Sequence, residues 1–226
     1  MANDDLLNYL QRYVRDPRII TGDDLSENLP SLWQTVLGQH QTERVATMLK
    51  QWREFNSEFQ QVLAYLEKHL EAIEIVQSSR GLCMIYAVRS QNGNLMYYEG
   101  RPPVEKNTNV EIEALWQQTD SRLQKFYTTL HNGWQYFASE SLGLSPLEKC
   151  FVLSQLEWGI LEQLETVPVD LDKSLAIFSN GMGDYICQEF NQGAVHTFLW
   201  FHDQAPKINL DLWPLVDTWT YIGFEG

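Results

Sequence analysis

The chain has 226 residues, 44% hydrophobic and 20% charged, a composition that suits a folded globular protein and excludes a disordered one. Its 30 acids outnumber 16 lysines and arginines, for a net charge of −14, which disfavours nucleic acid as a partner and favours basic macromolecules. No run approaches the ~18 apolar residues of a membrane span, and "MANDDLLNYLQRYVRD" lacks the basic region and apolar core of a secretory signal, so the expected setting is cytoplasmic.

Leu6, Leu7, Leu10 and Val14 form a short amphipathic stripe stopped by Asp16-Pro17, because a residue before proline avoids the helical region. "SENLPSLWQTVLGQ" predicts a second short helix, with Pro30 near its start and Gly38 past its end. The strongest period follows. In "TERVATMLKQWREFNSEFQQVLAYLEKHLEAIEIV", apolar residues from Val45 through Trp52, Phe59 and Leu66 to Leu70 and Ile73 recur every three or four positions. That spacing predicts one long helix over 43–72. Such a stripe needs a cover, either the protein's own core or a second copy, so the chain is expected to be a monomer or a homodimer through this helix. Residues 1–75 are read as a helical N-terminal extension, and 76–226 as the main domain.

At Gly81 the period shortens to two. "LCMIYAVRSQNGNLMYYEGRPP" predicts a hairpin around Asn92-Gly93, a pair that tolerates the positive φ angles of tight turns. "EIEALWQQTDSRLQKFYTTLHNGW" returns to helix, with Leu115, Trp116, Leu123, Phe126, Tyr127 and Leu130 inward and Asn132-Gly133 as a left-handed stop. "LSQLEWGILEQLE" predicts another helix. "SLAIFSNG", "GDYICQEF" and "AVHTFLWFHD" read as strands, the last two joined at Asn191-Gln192-Gly193. Helices first, then helices mixed with antiparallel strands, give the α+β class.

The chemistry-bearing patterns are sparse. Gly181-Met182-Gly183-Asp184 leads into a strand rather than a helix, so it does not fit a phosphate cradle and reads as a sharp turn. His196, His202, Asp203 and Asp184 are candidate metal ligands, but two histidines six residues apart on a regular strand lie ~20 Å apart, too far for one ion. An enzymatic reading rests only on His131, His196, His202 and Asp184 meeting in space. Cys83, Cys150 and Cys187 are odd in number and sit among apolar residues, which suits buried reduced thiols. Residues 151–226 hold 11 acids against Lys173 and Lys207 alone, a local charge of −9. Trp200, Trp213 and Trp219 share that third, and aromatics beside acids suit the gripping of arginine-rich protein.

"LQKFYTTLHNGW", "IFSNGMGDYICQEF" and "VHTFLWFHD", in that order, resemble the successive blocks of the SMI1/KNR4 (SUKH) superfamily. Asn132 and Gly133 match the first block, Gly181, Gly183 and Asp184 the second, and Trp200, His202 and Asp203 the third. The resemblance spans roughly residues 76–205. The tail "INLDLWPLVDTWTYIGFEG", broken by proline, departs from the closing helix usual in that family. The resemblance implies a SUKH-like α+β domain without catalytic, cofactor-binding or metal-binding residues. It further implies an immunity protein that neutralises a cognate bacterial toxin, such as a nuclease, by stoichiometric binding, or alternatively a regulatory scaffold. Asp184, Glu189, Trp200, Asp203 and Asp211 are the residues expected to meet the partner.

Overall fold

A computed structural model describes residues 3–22, 29–104 and 110–225. Its helices are α1 (Asn3–Leu10), α2 (Ser31–Leu37), α3 (Gln41–Trp52), α4 (Gln60–His69), α5 (Val110–Trp116), α6 (Ser121–Thr129) and α7 (Leu212–Ile222). The strands are β1 (Arg18–Ile19), β2 (Leu70–Ser78), β3 (Gly81–Arg89), β4 (Leu95–Arg101), β5 (Asn132–Tyr136), β6 (Ser141–Leu144), β7 (Phe151–Val152), β8 (Ser174–Ser179), β9 (Tyr185–Asn191), β10 (Ala194–Trp200) and β11 (Lys207–Leu210). Among the described residues these strands make one sheet in the order β1-β2-β3-β4-β5-β6-β8-β9-β10-β11, with β7 paired to β8. Every pairing is antiparallel, and the fold is α+β.

Alternation along the strands sorts side chains to the two faces. Ile73, Ile75, Met84, Tyr86, Val88, Met96 and Tyr98 face the helices α2 to α7 and share one core with Trp33, Trp52, Phe126 and Val216. Their sequence neighbours Ala72, Val76, Cys83, Ile85, Ala87 and Tyr97 face the other way and are covered by Leu6, Leu10 and Val14 of the N-terminal segment. At the far end of that second face, Leu153, Ile160 and Val169 cover Ala176, Cys187, Phe198 and Trp200. Between these two covers runs a polar strip. Glu99, 1% exposed, accepts from Gln135 Nε2 at 3.0 Å, with Arg101 4.0 Å away. The three cysteines are free and buried, and burial raises each thiol above its ordinary pKa.

Several expectations need correction. The helix predicted over 43–72 is two helices and the start of a strand. Arg53–Phe55 tighten into a 3-10 turn, and the run ends at Asn56-Ser57, residue types of low helix propensity, with Ser57 Oγ donating to Glu58 Oε2 at 2.8 Å. From Leu70 the chain is strand β2, because β-branched Ile73, Ile75 and Val76 pack well on a pleated surface. Leu70 and Ile73 extend the helical stripe only by numerical coincidence. The stripe is buried within the chain itself, Met48, Trp52, Phe55, Phe59, Val62 and Leu66 all lying in the main core, so no long helix remains to carry a homodimer. The proposed boundary at 75/76 falls inside β2, and the helices before it share their core with the strands after it.

The helix predicted across 111–130 is α5 and α6, separated where Asp120 accepts from the backbone N–H groups of Arg122 and Leu123 as an N-cap. Asn132-Gly133 opens strand β5 instead of stopping a helix. Gly133 does take a left-handed φ of 74°, at a point where a β-carbon would lie 2.5 Å from Pro146 N. Residues 153–163 form short 3-10 turns instead of a helix. The tail does close with a helix, α7. Pro214 is its third residue, and proline is tolerated in a first turn, whose N–H groups need no intrahelical partner.

Candidate partner-binding surface

The last strands end the sheet in a hairpin and an edge. Gln192 (φ 50°) and Gly193 (φ 83°) turn β9 into β10 with both residues left-handed, the geometry that suits a two-residue hairpin loop. The register sets Gln188 opposite Thr197 and Glu189 opposite His196. β11 pairs with β10 through an irregularity between Thr197 and Leu199, and Asn209 within it is held at φ 59°. This end carries a hollow on each face.

On the helix side, a hollow of about 500 Å³ lies between Gln188 and Thr197 on the sheet, Asp120 at the start of α6, and Asp211 and Trp213 at the start of α7. On the opposite side, Glu189, Phe198 and Ile208 meet Val169 around a second hollow of about 210 Å³. His196, Thr197 and Asn209 border both, and the lining of each, among the described residues, contains no lysine or arginine. Asp211 occupies the N-cap position of α7 yet makes no capping bond with its side chain. Asp120 commits one oxygen, Oδ1, to Arg122 N, Leu123 N and the Trp213 indole at 2.9, 3.1 and 3.3 Å. Gln188 is 2% exposed, and its Oε1 is sealed from solvent without a donor.

A second constellation closes the other end of β9 and β10. Gly181 (φ 83°) and Gly183 (φ 97°) carry the turn from β8 to β9, in which Asn180 Oδ1 accepts from Met182 N and Asp184 N. Asp184 Oδ1 accepts from the His202 backbone at 3.1 Å and from His202 Nδ1 at 2.8 Å, while Oδ2 accepts from Asn180. Burial alone would raise the Asp184 carboxyl, but these bonds outweigh it and hold it below its ordinary range. The same contact raises the His202 imidazole. Asp203 completes a trio with ligand atoms within 4.8 Å of one another. Asp184 has both oxygens engaged in holding the turn, so the trio reads as a latch between β9 and the segment after β10.

The five residues expected to touch a partner separate in space. Asp211 lines the larger hollow and Glu189 the smaller, though Glu189 also accepts from Asp170 N at 2.7 Å. Asp203 is exposed beside the latch, and Asp184 is half-buried within it. Trp200 needs correction as a surface residue. It is 0% exposed, its ring against Trp158 at 5.3 Å, because its place on β10 turns it under the 153–171 cover. Of the other two tryptophans, Trp213 lines the hollow and half-buried Trp219 packs on Phe178. The histidines do not converge. His202 meets Asp184, His196 borders the hollows, and His131 is fully buried against Tyr86.

Sequence reasoning overlooked Asp120 and Gln188. Asp120-Ser121 is a legible helix start, and Gln188 interrupts the apolar series Ile186, Phe190 on the face it shares with them. No family model matches the chain, and no curated protein or solved structure matches it. No helix among the described residues is long and apolar enough to cross a membrane.

Proposed function

We propose that this protein acts by stoichiometric binding, presenting the β9–β11 end of its sheet to a basic protein. As the SUKH resemblance implies, that partner is a bacterial toxin of the nuclease or nucleic-acid-modifying kind, which the chain neutralises as an immunity protein. The supporting observation is the pair of hollows bordered by Asp120, Asp211 and Glu189, whose linings among the described residues hold no lysine or arginine. Nuclease clefts are basic because they hold phosphates, so an acidic surface complements them and is drawn to them at long range. The proposal assigns the chain no chemical step. The alternative reading as a scaffold relied on a long docking helix, whose apolar stripe lies in the core.

The test is co-expression with the toxin encoded beside the protein's own gene. Protected cells and a one-to-one complex stable at micromolar concentration are the expected results. Toxicity unrelieved by the folded protein, or the absence of a complex, refutes the proposal.

A further inference from the structure

We infer that the hollow between β9–β11 and the starts of α6 and α7 receives an arginine side chain of the protein partner. The inference rests on the binding role proposed above and specifies what this end of the sheet grips.

Three kinds of group meet there. The Asp211 carboxylate makes no capping bond, and Asp120 keeps Oδ2 outside the bonds its other oxygen accepts. The two carboxylates share a lining without lysine or arginine among the described residues, and Arg122 beside Asp120 offsets only part of their charge. Gln188 adds a buried acceptor, Oε1, with no donor. Such an orphan costs stability in the free protein and is relieved by a ligand that brings an N–H group. Trp213 supplies an indole fixed by its bond to Asp120 and by packing on Phe59 at 5.4 Å.

These features select guanidinium over ammonium. A guanidinium is planar and weakly hydrated and presents five donors in a rigid fork, so it can face an aromatic ring while its edges reach separate acceptors. An ammonium is a compact, strongly hydrated point charge and uses that layout poorly. The surroundings also favour an arginine within a polypeptide over the free amino acid, whose own carboxylate would enter a chain of net charge −14. β11 is the terminal strand of the sheet beside this hollow, so a partner segment can lie along it and project the side chain inward.

The experiment uses the intact, isotopically labelled chain at low salt, titrated with N-acetyl-arginine methylamide, the matching lysine and citrulline derivatives, and free arginine. The Trp213 indole N–H and the Gln188 carboxamide should shift saturably with the blocked arginine, more weakly with free arginine and lysine, and not with citrulline. Asp211→Asn should weaken the response about tenfold, the scale of one charge-assisted hydrogen bond. Gln188→Leu should abolish the Gln188 signal and weaken binding while leaving the fold at least as stable, since it removes an unpaired acceptor. No saturation, citrulline or lysine matching arginine, or free arginine binding more tightly than the blocked form would each overturn the inference. A silent titration beside an intact toxin complex refutes the arginine pocket alone, whereas an arginine response beside a missing complex refutes the wider role.

Discussion

Gly100 on β4 offers a sharp test of the core, because a β-carbon there would lie 2.4 Å from His131 Cγ, 2.5 Å from Nδ1 and 2.7 Å from Cδ2. The imidazole has little room to yield. It is fully buried, Trp33 stands edge-on at 6.0 Å, and Nε2 meets the Tyr86 hydroxyl at 2.5 Å. Trp52 Nε1 donates to that hydroxyl at 3.2 Å, so a displaced His131 disturbs a chain of three side chains. Overpacking of this kind costs about 1–3 kcal/mol. Breaking the Tyr86–His131 bond leaves buried polar groups unpaired for about another 1–3 kcal/mol. Gly100→Ala is therefore expected to lose about 2–6 kcal/mol, a large part of the roughly 5–15 kcal/mol that holds an ordinary domain together. Guanidinium unfolding followed by tryptophan fluorescence measures it, alongside His131→Ala and the double variant. Removing the ring removes the clash, so the double variant should be more stable than the two single losses predict by at least about 1 kcal/mol. If Gly100→Ala alone does not fold, recovery of folding in the double variant answers the same question. Gly100→Ala within about 0.5 kcal/mol of wild type, or simple additivity, would refute this packing.

Burial lowers the His131 imidazole to about 3, with the Arg101 backbone pulling the other way. An unfolded histidine titrates near ~6.5, so between these values the unfolded chain binds one more proton than the folded one. The contribution is fully present above the unfolded value and is lost as pH falls, at about 1.4 kcal/mol per unit. Unfolding midpoints of His131→Ala should fall less steeply than wild type across that window, and parallel curves would refute the assignment. Buried Asp217 accepts from Gln61 N at 2.9 Å and Val62 N at 3.0 Å, capping α4 from a distant helix, so Asp217→Ala should cost about 1–3 kcal/mol. A loss below about 0.5 kcal/mol would show that the cap is idle. Gly183→Val forces a branched side chain onto φ 97°, 3.2 Å from His202 Cβ, and should lower the melting temperature; unchanged melting would exclude the strained turn. Asp203→Lys alters an exposed carboxylate and should spare melting while slowing association with a basic partner, an effect that fades at high salt. An unchanged association rate at low salt would remove Asp203 from the steering surface.

Strands 174–200 were legible because two signals agreed there: apolar runs of strand length, and glycines where the turns require left-handed backbone. The same agreement marked Gly93, although its loop is longer than a two-residue turn, Ser90 N bonding Asn94 O. Where one signal stood alone it misled. Apolar spacing could not reveal that 43–72 changes from helix to strand, since Leu66, Leu70 and Ile73 satisfy the helical period while Ile73 and Ile75 satisfy the strand period. In 153–163 Leu153 and Ile160 are real core contributors and Leu156 is exposed, and two short turns present the buried ones as well as a helix would. The candidate surface was visible only as a charge imbalance with aromatics beside it, enough to point to Glu189, Asp211 and Trp213 but not to join them. Its geometry depends on pairs such as Asp120 and Trp213, 93 residues apart, which no local pattern links. Trp200 shows the converse, because an aromatic next to acids in sequence can still point into the core when strand alternation sends it there.

Charge and shape have separate tasks at this end of the sheet. The last third of the chain has two cations, and both are engaged: Lys173 pairs with Asp170 at 2.8 Å, and Lys207 lies over the Phe201 ring at 5.7 Å. Its acidity is therefore largely uncompensated and reaches outward, where it raises encounter rates but selects only for positive charge. Selection requires groups that act at contact distance and lose something when left unmatched. Gln188 meets that requirement, since it borders the hollow, its buried oxygen is unpaired in the free chain, and a donor brought in by a partner would relieve it. Glu157, Glu162 and Glu165 are exposed on the 153–171 cover and belong to the first task, while Asp120, Asp211 and Gln188 belong to the second. Replacing the first group should alter association rates and their salt dependence, and replacing the second should alter residence time, because contact-range losses act mainly on dissociation.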